Sequence, residues 1–258
     1  MSGNKSQKDL SDFLVEFSQE EHQLVEEAVR QYGKYWHHAT RCVAVINEMM
    51  IRWHSDTILI STLLLFSGQQ AALAVLSAVR QHAAQSAMCF RLMLESMMLT
   101  TYATSDPRLT ADLREALNSP TILEKLLKPR LSNKLMGKVY PWIKRSYPNH
   151  SQRIDQLKSK YLNRLYTHPN LATVIASYRS GQGKSGKMYF DAEDNYAVRR
   201  SLWIIADGIL CTVGLLSQSL TKSASGMITK DTLINLQRLE GDGVILREEL
   251  KQGRLVAR

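Results

Sequence analysis

The residues of this chain best suited to chemistry are charged side chains set among apolar residues. Arg91 and Glu95 lie four positions apart in a segment that is otherwise mostly apolar between 88 and 99. If the segment is helical, the two side chains meet on one face, and a lone buried charge there would be very costly. The sequence therefore predicts either a buried ion pair that fixes the helix register or the charged floor of a pocket. His168, at the end of a predicted amphipathic helix, is the third candidate, either as a structural core histidine or as a member of that pocket.

The positive charge is concentrated in the central third of the chain. Residues 125–166 contain eleven lysines and arginines against one carboxylate, Asp155, a difference of +10, whereas the whole chain carries +9. A basic stripe of this kind attracts polyanions through phosphate contacts and counterion release. The predicted nucleic-acid-binding residues are Lys134, Lys138, Lys144, Arg145, Arg153, Lys160 and Arg164. RNA or DNA is the favoured polyanion and an anionic membrane surface comes second, while the alternative is a solvated basic surface that binds nothing specific.

Aromatic residues are interleaved with these cations. They are Tyr140, Trp142, Tyr147, Tyr161 and Tyr166.

The elements that must position these residues are predicted to be helices. Only 6 prolines and 13 glycines occur in 258 residues, which permits long uninterrupted segments. Ser18 and Glu21 have capping-box spacing at the start of a helix expected to reach about residue 53. After a turn at 54–56, two very apolar helices follow, separated near 81–84 and ending near 104. Shorter helices to 147, an amphipathic helix at 151–166, a buried helix at 194–220 and a polar helix at 229–239 complete the pattern.

This pattern predicts an all-α multi-helix bundle with long buried central helices and a small Gly-rich hairpin or loop at 180–187. The predicted organisation is a flexible N-terminal segment at 1–17, a helical bundle domain at 18–221, and a polar C-terminal helix and tail at 222–258. No internal repeat and no second core is evident.

One segment, 57–79, is uncharged and long enough to span a bilayer. It carries several polar side chains, however, and Arg91, Glu95 and Asp207 stand in the other two apolar segments. A charge at mid-membrane costs about 2.5–3.5 kcal/mol, so core helices explain all three segments better and membrane-spanning segments are not expected. The polar N-terminus lacks the apolar stretch of a signal peptide, which predicts a cytoplasmic location.

No metal or other cofactor is predicted. The three cysteines are far apart among apolar residues, as is typical of buried thiols in a reducing compartment. Residues 181–187 fit the pattern GxxxxGK, but Met188 stands where a magnesium-binding serine or threonine is required. His37 and His38 are adjacent, and neighbouring side chains on a helix diverge by about 100°, which is poor geometry for a shared metal ion.

The order of these motifs resembles a group of bacterial all-helical domains of unknown function, over about residues 35–220. The resemblance depends on the Arg91-x-x-x-Glu95 helix, the segment from Tyr161 to His168 that is followed by proline, the Gly-rich hairpin and the final apolar helix. It implies a helical fold in which Arg91, Glu95, Tyr161 and His168 converge, without an established activity. The family pattern favours serine two residues before the histidine, whereas this chain has Tyr166 there.

The architecture is also loosely similar to the HEPN superfamily, whose helical bundles often cut RNA without a metal through an Arg-x(4–6)-His motif. Arg145 and His150 fit this spacing within the basic segment, and Arg30 and His37 fit it elsewhere. The similarity implies that the arginine would stabilise the developing phosphorane charge and the histidine would act as general acid or base. A chain with 7 histidines contains such spacings by chance, so the motif alone does not decide the function.

Three functions remain open at the level of the sequence. The first is nucleic-acid binding without catalysis, and the second is a metal-independent ribonuclease, with a role in stress or phage defence by analogy only. The third is a bundle whose basic face binds an acidic protein partner.

Overall fold

The computed structural model describes residues 3–50, 58–105, 129–159, 195–222 and 230–256. Within these ranges the chain forms helices, which are α1 Gly3–Tyr32, α2 Lys34–Met50, α3 Ile58–Val79, α4 Ala83–Ser105, α5 Pro129–Ser146, α6 Pro148–Leu157, α7 Asn195–Lys222 and α8 Lys230–Val256. The predicted all-α multi-helix bundle is confirmed. The Gly-rich segment 180–187, the predicted turn at 54–56 and the segment from Tyr161 to His168 lie outside the described residues.

The N-terminal helices differ in their bounds from the single helix predicted for 18–53. The first helix already begins at Gly3, and the chain breaks at Gly33, whose φ of +48° lies in the left-handed region. Glycine adopts this conformation at little cost because it has no Cβ. The break lets α2 turn away from α1 and pack against α3 and α7. The division of the chain at residues 17 and 221 stays a prediction.

The two very apolar helices form the predicted hairpin. The break lies at 80–82, where Gln81 has a φ of +60°. Hydroxyls join the two helices, because Ser67 donates to the Ser96 Oγ at 2.8 Å and Ser96 donates in turn to the Leu63 carbonyl of α3 at 3.1 Å. Polar residues in 57–79 make a membrane span there unfavourable, and their hydroxyl groups include one that is hydrogen-bonded inside the bundle.

Helix α7 is the central element, packing against α2, α3, α4, α6 and α8. Its fully buried side chains include Leu202, Ile209 and Leu216. Gly208 permits a close approach of α7 to α4, because a Cβ at this position would overlap the ring of Phe90. The long buried central helices predicted from the sequence are therefore α3, α4 and α7.

The C-terminal helix is much longer than predicted. The sequence predicts a helix over 229–239, but α8 runs from Lys230 to Val256. Its length follows from burial, because Leu236, Leu239, Leu246 and Leu250 belong to the same core cluster as α7. Apolar contacts at this spacing stabilise a helix whose exposed face is polar.

Helices α5 and α6 cover the other end of α4 and α7. Val139, Ile143 and Ile154 form a smaller core cluster with residues of those two helices. Pro148 begins α6 at a position where the missing amide hydrogen costs nothing. These two helices carry all four of the predicted nucleic-acid-binding residues whose side chains are described.

The three cysteines are free and buried, one each in α2, α4 and α7. Burial raises the pKa of the Cys42 and Cys211 thiols to about 12. Burial also raises the pKa of the Cys89 thiol. All three thiols are therefore protonated at neutral pH.

Two described helices, over Ile60–Val79 and Asn195–Leu220, are long and apolar enough to cross a membrane. Half of the first window and 72% of the second are buried inside the bundle. Core helices of soluble proteins pass the same test, so these helices are weak evidence for a membrane span. The cytoplasmic location stays a prediction.

Candidate functional site

Arg91 and Glu95 form the predicted ion pair, with 2.9 Å between the Arg91 Nε and the Glu95 Oε1. The expectation that the pair is buried is wrong, because the Arg91 side chain is 49% exposed and that of Glu95 is 27% exposed. Positions 88, 91, 92 and 95 share one side of α4, and Met88 and Leu92 on this side are exposed as well. The segment is apolar all round, yet this face is not covered by the core.

Lys158, after the last turn of α6, lies near this ion pair. Its Nζ lies 3.7 Å from the centre of the Tyr140 ring. Burial lowers the pKa of Lys158 to about 8, with smaller influences from Glu95 and Arg91. Burial also raises the pKa of Tyr140, whose hydroxyl has no hydrogen-bond partner among the described residues. Whether Tyr161 and His168 join this cluster stays a prediction, since they lie outside the described residues.

His150 lies between α6 and α7. Its Nδ1 is 3.9 Å from the Cys211 Sγ, and Gly214 leaves room for the ring, since a Cβ there would lie 3.3 Å from the His150 Cε1. Burial lowers the pKa of His150, and the positive charge of Arg153 lowers this pKa further. Arg145 is exposed on α5, and no hydrogen bond joins it to His150 among the described contacts. The Arg145–His150 pair that the HEPN similarity implied therefore stays a prediction.

Three predicted nucleic-acid-binding residues, Lys138, Lys144 and Arg145, have exposed side chains on α5. We call them the α5 basic surface. Among the described residues, none of the three forms an ion pair with a carboxylate. Lys144 also lines an open groove of about 830 Å³ together with Lys158. The backbone of Lys134 continues the same helix, while Lys160 and Arg164 lie outside the described residues.

Arg153 differs from these residues, and its predicted place on the basic face is wrong. It donates to Asp207 through Nη2 at 2.5 Å and Nε at 3.4 Å, and its Nη1 lies 3.6 Å from Glu240. The side chain is only 34% exposed. Periodicity placed Arg153 on the polar side of α6, but Asp207 on the central helix and Glu240 on α8 approach that side and neutralise the charge.

The described aromatic residues near the basic surface pack against other residues of the bundle. Trp142 packs edge-on against Tyr102 and Tyr147, with ring centres 5.1 and 5.5 Å apart. Tyr147 is buried, and Tyr140 carries Lys158 on its ring. These rings stabilise the joint between α4, α5 and α6.

A cavity of about 600 Å³, which no sequence motif predicts, lies between α2, α6, α7 and α8. Its lining residues include His38, Arg153, Arg200, Trp203, Asp207, Glu240, Gly243, Arg247 and Lys251. They are spread over more than two hundred positions of the chain, so no local motif could reveal the site. A volume of this size is typical of small-molecule sites. We call it the four-helix cavity.

His38 is the most buried polar residue of the four-helix cavity, with 5% of its surface exposed. Its Nδ1 has no hydrogen-bond partner among the described residues, and its Nε2 lies 4.0 Å from the Cys42 Sγ. Burial lowers the pKa of His38, against the opposing influence of Asp242. The ring is therefore neutral at pH 7. Gly243 lets α8 pass beside it, because a Cβ there would lie 3.3 Å from the His38 Nε2.

Trp203 gives the cavity a fixed aromatic wall. Its Nε1 donates to the Gly243 carbonyl at 2.9 Å, which holds the indole against α8. The guanidinium of Arg247 lies 5.9 Å from the centre of the Trp203 ring. The indole is only partly buried, so part of its surface stays available inside the cavity.

No family model matches the chain, and no curated protein or solved structure matches it either. The resemblances to the bacterial helical domains and to the HEPN superfamily therefore stay predictions. Among the described residues, no group of three His, Cys, Asp or Glu side chains is placed to hold a metal ion.

Proposed function

We propose that this protein binds nucleic acid, with RNA as the favoured class, through the α5 basic surface. The observation that supports the proposal is that Lys138, Lys144 and Arg145 are all exposed and have no carboxylate partner among the described residues. They stand in a window whose sequence carries ten more positive than negative charges. Solubility does not require charge to be concentrated in this way.

Binding would depend on the phosphate backbone and would read little sequence. Among the described residues, the aromatic side chains near this surface are packed between helices. Lysine and arginine on a helix surface neutralise phosphates without selecting bases. If the three cations each contact one phosphate, the logarithm of affinity falls with the logarithm of salt concentration with a slope of about −2 to −3. RNA is favoured over DNA only by the predicted similarity to RNA-directed helical bundles.

Binding is favoured over RNA cleavage by the surroundings of His150. A general acid or base must reach the reacting atoms, whereas the His150 ring lies beside the buried Cys211 thiol and is not hydrogen-bonded to Arg145. Among the described residues, no observation favours the ribonuclease alternative.

The test compares two double variants with the same change in net charge. Lys138→Glu/Arg145→Glu reverses two charges of the α5 basic surface, and Lys230→Glu/Arg238→Glu reverses two exposed charges on α8. The dissociation constant of each for single-stranded RNA, duplex RNA and duplex DNA is measured at several salt concentrations. We expect the first variant to lose RNA affinity and about two units of salt slope, and the second to retain both.

Equal losses in both variants would show that only the net charge of the protein matters and would overturn the proposal. The absence of nucleic-acid binding by the unmodified protein would do so directly. Co-purification with an acidic protein, with no affinity for RNA or DNA, would instead support the partner-binding alternative.

A further inference from the structure

The hairpin of α3 and α4 exposes five large apolar side chains, each with 39–60% of its surface accessible. They are Leu65, Phe66, Leu73, Met88 and Leu92. Single exposed apolar residues are ordinary on a protein surface, but a contiguous patch of several hundred Å² normally marks an interaction site. Whether these five side chains form one patch depends on which side of the hairpin they occupy.

The exposed side chains of both helices point away from the core. Gly68 faces α2, and Phe90 lies against α7, so these two residues mark the core side of α3 and α4. Phe66 and Met88 each precede them by two residues, which corresponds to about 200° around a helix. Both side chains therefore point outward on the same side of the hairpin. We call this side the hairpin face.

The accessible positions of the hairpin face recur at alternating intervals of three and four residues. On α3 they are Thr62, Phe66, Gln69, Leu73 and the half-buried Leu76. On α4 they are Gln85, Met88, Leu92 and the half-buried Glu95 and Leu99. This is the spacing of the seam along which helices pack in coiled coils and four-helix bundles. The pattern therefore favours further helices as the partner of this face.

Two hydrogen bonds show that the two seams are centred at the same height. Ser67 donates to the Ser96 Oγ, and Ser86 donates to the Ala74 carbonyl, both at 2.8 Å. Because α3 and α4 run antiparallel, these pairs place residue 69 beside residues 92 and 93. Residues 69 and 92 are also the middle positions of the two seams. A two-fold axis through this point would set each helix antiparallel to its own copy.

The area of the hairpin face suits the centre of a dimer interface. Each seam spans 15 residues, or about 22 Å, and two helices side by side are about 20 Å wide. The face therefore measures roughly 450 Å² on each copy, about half of the roughly 800 Å² that each partner contributes to a standard interface. Interfaces of that size have an apolar centre and a polar rim.

The charge of the hairpin face favours a second copy of the chain. The whole chain carries +9, but residues 57–79 contain no charged side chain and residues 83–105 contain only Arg91 and Glu95. Two basic molecules repel each other least where they meet through neutral surfaces. Arg91 contacts Glu95 of its own helix through Nε. Around the two-fold axis, the terminal nitrogens of Arg91 would face Glu95 of the second copy.

Lipid is a poorer partner for this face. Gln69, Gln85 and Glu95 stand on the seams, and polar groups placed in hydrocarbon without a partner are costly. In a two-fold dimer, Gln69 of one copy lies opposite Gln69 of the other, so the two amides can hydrogen-bond to each other.

We propose that this protein forms a symmetric dimer in which the hairpin faces of two copies pack together as an antiparallel four-helix bundle. The interface consists of α3 and α4 of each copy and does not include the α5 basic surface. Dimerisation is therefore independent of the proposed nucleic-acid binding, and it is measured without nucleic acid.

The first test is sedimentation velocity of the full chain at concentrations up to about 100 μM, well above the micromolar limit typical of standard interfaces. We expect a species with twice the mass of one chain. Leu92→Glu places a charge at the centre of the interface and should raise the dimer dissociation constant at least about tenfold. Ile245→Glu makes the same change in charge at a 61% exposed position of α8, and it should leave the dissociation constant unchanged.

The second test exchanges charges between copies. Arg91→Glu and Glu95→Arg each set like charges opposite one another in a homodimer, and each should weaken dimerisation. When the two variants are mixed, an acidic pair on one chain faces a basic pair on the other. The mixture should therefore form heterodimers at least about tenfold more tightly than either variant forms homodimers. An effect on the folding of α4 alone would not be relieved by mixing.

Four results would overturn the proposal. The first is that the unmodified protein stays monomeric at about 100 μM. The second is that Leu92→Glu and Ile245→Glu change the dissociation constant equally in variants that melt like the unmodified protein. The third is that mixing the two charge variants produces no gain. The fourth is that the protein stays monomeric and binds phosphatidylglycerol vesicles in a manner that Leu92→Glu abolishes, which would assign the hairpin face to lipid. The Lys138→Glu/Arg145→Glu variant should dimerise normally, and its failure to do so would place the interface at the α5 basic surface instead.

Discussion

Arg153 and Arg145 are only eight residues apart in the basic segment, but the structure predicts opposite consequences for their substitution. Arg153 is paired with two carboxylates and two-thirds buried, whereas Arg145 is exposed and unpaired among the described residues. Arg153→Gln should therefore lower stability and leave RNA affinity almost unchanged. Arg145→Gln should lower RNA affinity and leave stability almost unchanged.

The expected loss of stability follows from the exposure of the pair. Exposed ion pairs contribute about 0–1 kcal/mol, and breaking a fully buried pair costs about 3–5 kcal/mol. The side chains of Arg153 and Asp207 are 34% and 19% exposed and share two hydrogen bonds. An intermediate value of about 2 kcal/mol is therefore expected for Arg153→Gln. For a chain of this size that lowers Tm by roughly 4–8 °C.

The assay pairs thermal melting with RNA binding over a range of salt concentrations. Arg145→Gln should reduce the salt slope by about 1, because one phosphate contact is lost, with Tm unchanged. Arg153→Gln should keep the slope and the affinity. The reasoning is refuted if Arg153→Gln weakens RNA binding as much as Arg145→Gln does while its Tm stays at the unmodified value.

Two further predictions concern packing and pH. Gly208→Ala should destabilise the protein by about 1–3 kcal/mol in urea denaturation, because the new methyl group would overlap the Phe90 ring; the matched Gly241→Ala, with no atom within 4 Å, should stabilise it by about 0.5–1 kcal/mol. Equal effects would contradict this account of how α4 and α7 meet. Since the pKa of His38 is lowered from 6.5 on folding, the unfolded state binds more protons below that pH, so stability should fall as pH drops from about 6.5 towards the folded pKa. His38→Gln should flatten this decline without abolishing it, because His150 shifts in the same direction, and urea midpoints with the same pH slope in both proteins would count against the buried neutral ring.

The helical architecture could be predicted because hydrophobic periodicity and the scarcity of breakers are local properties. The break between α3 and α4 was expected near 81–84 and lies at 80–82. The break at Gly33 was missed, although a glycine was visible there, because sequence does not show whether a helical glycine adopts a positive φ. The full length of α8 was missed because the helix is polar in composition. Its buried leucines can be recognised only from their contacts with the core of the folded protein.

Only those contacts of the candidate site that join residues close in sequence could be predicted. The Arg91–Glu95 pair formed as the spacing required. Its exposure could not be read from the sequence, since an apolar helix does not reveal which of its faces the rest of the chain will cover. The pairing of Arg153 with Asp207 and the walls of the four-helix cavity join residues far apart in sequence, and such contacts exist only in the folded chain.

The distribution of the cysteines has a practical consequence. One thiol each in α2, α4 and α7 is closed off from solvent and held in its unreactive protonated form, and it is the thiolate that reacts with alkylating reagents. Alkylation at each position would therefore require a local or global opening that uncovers that helix. The chain thus contains three native chemical reporters, and mass spectrometry of their modification over time would rank the opening free energies of its central helices without an added label.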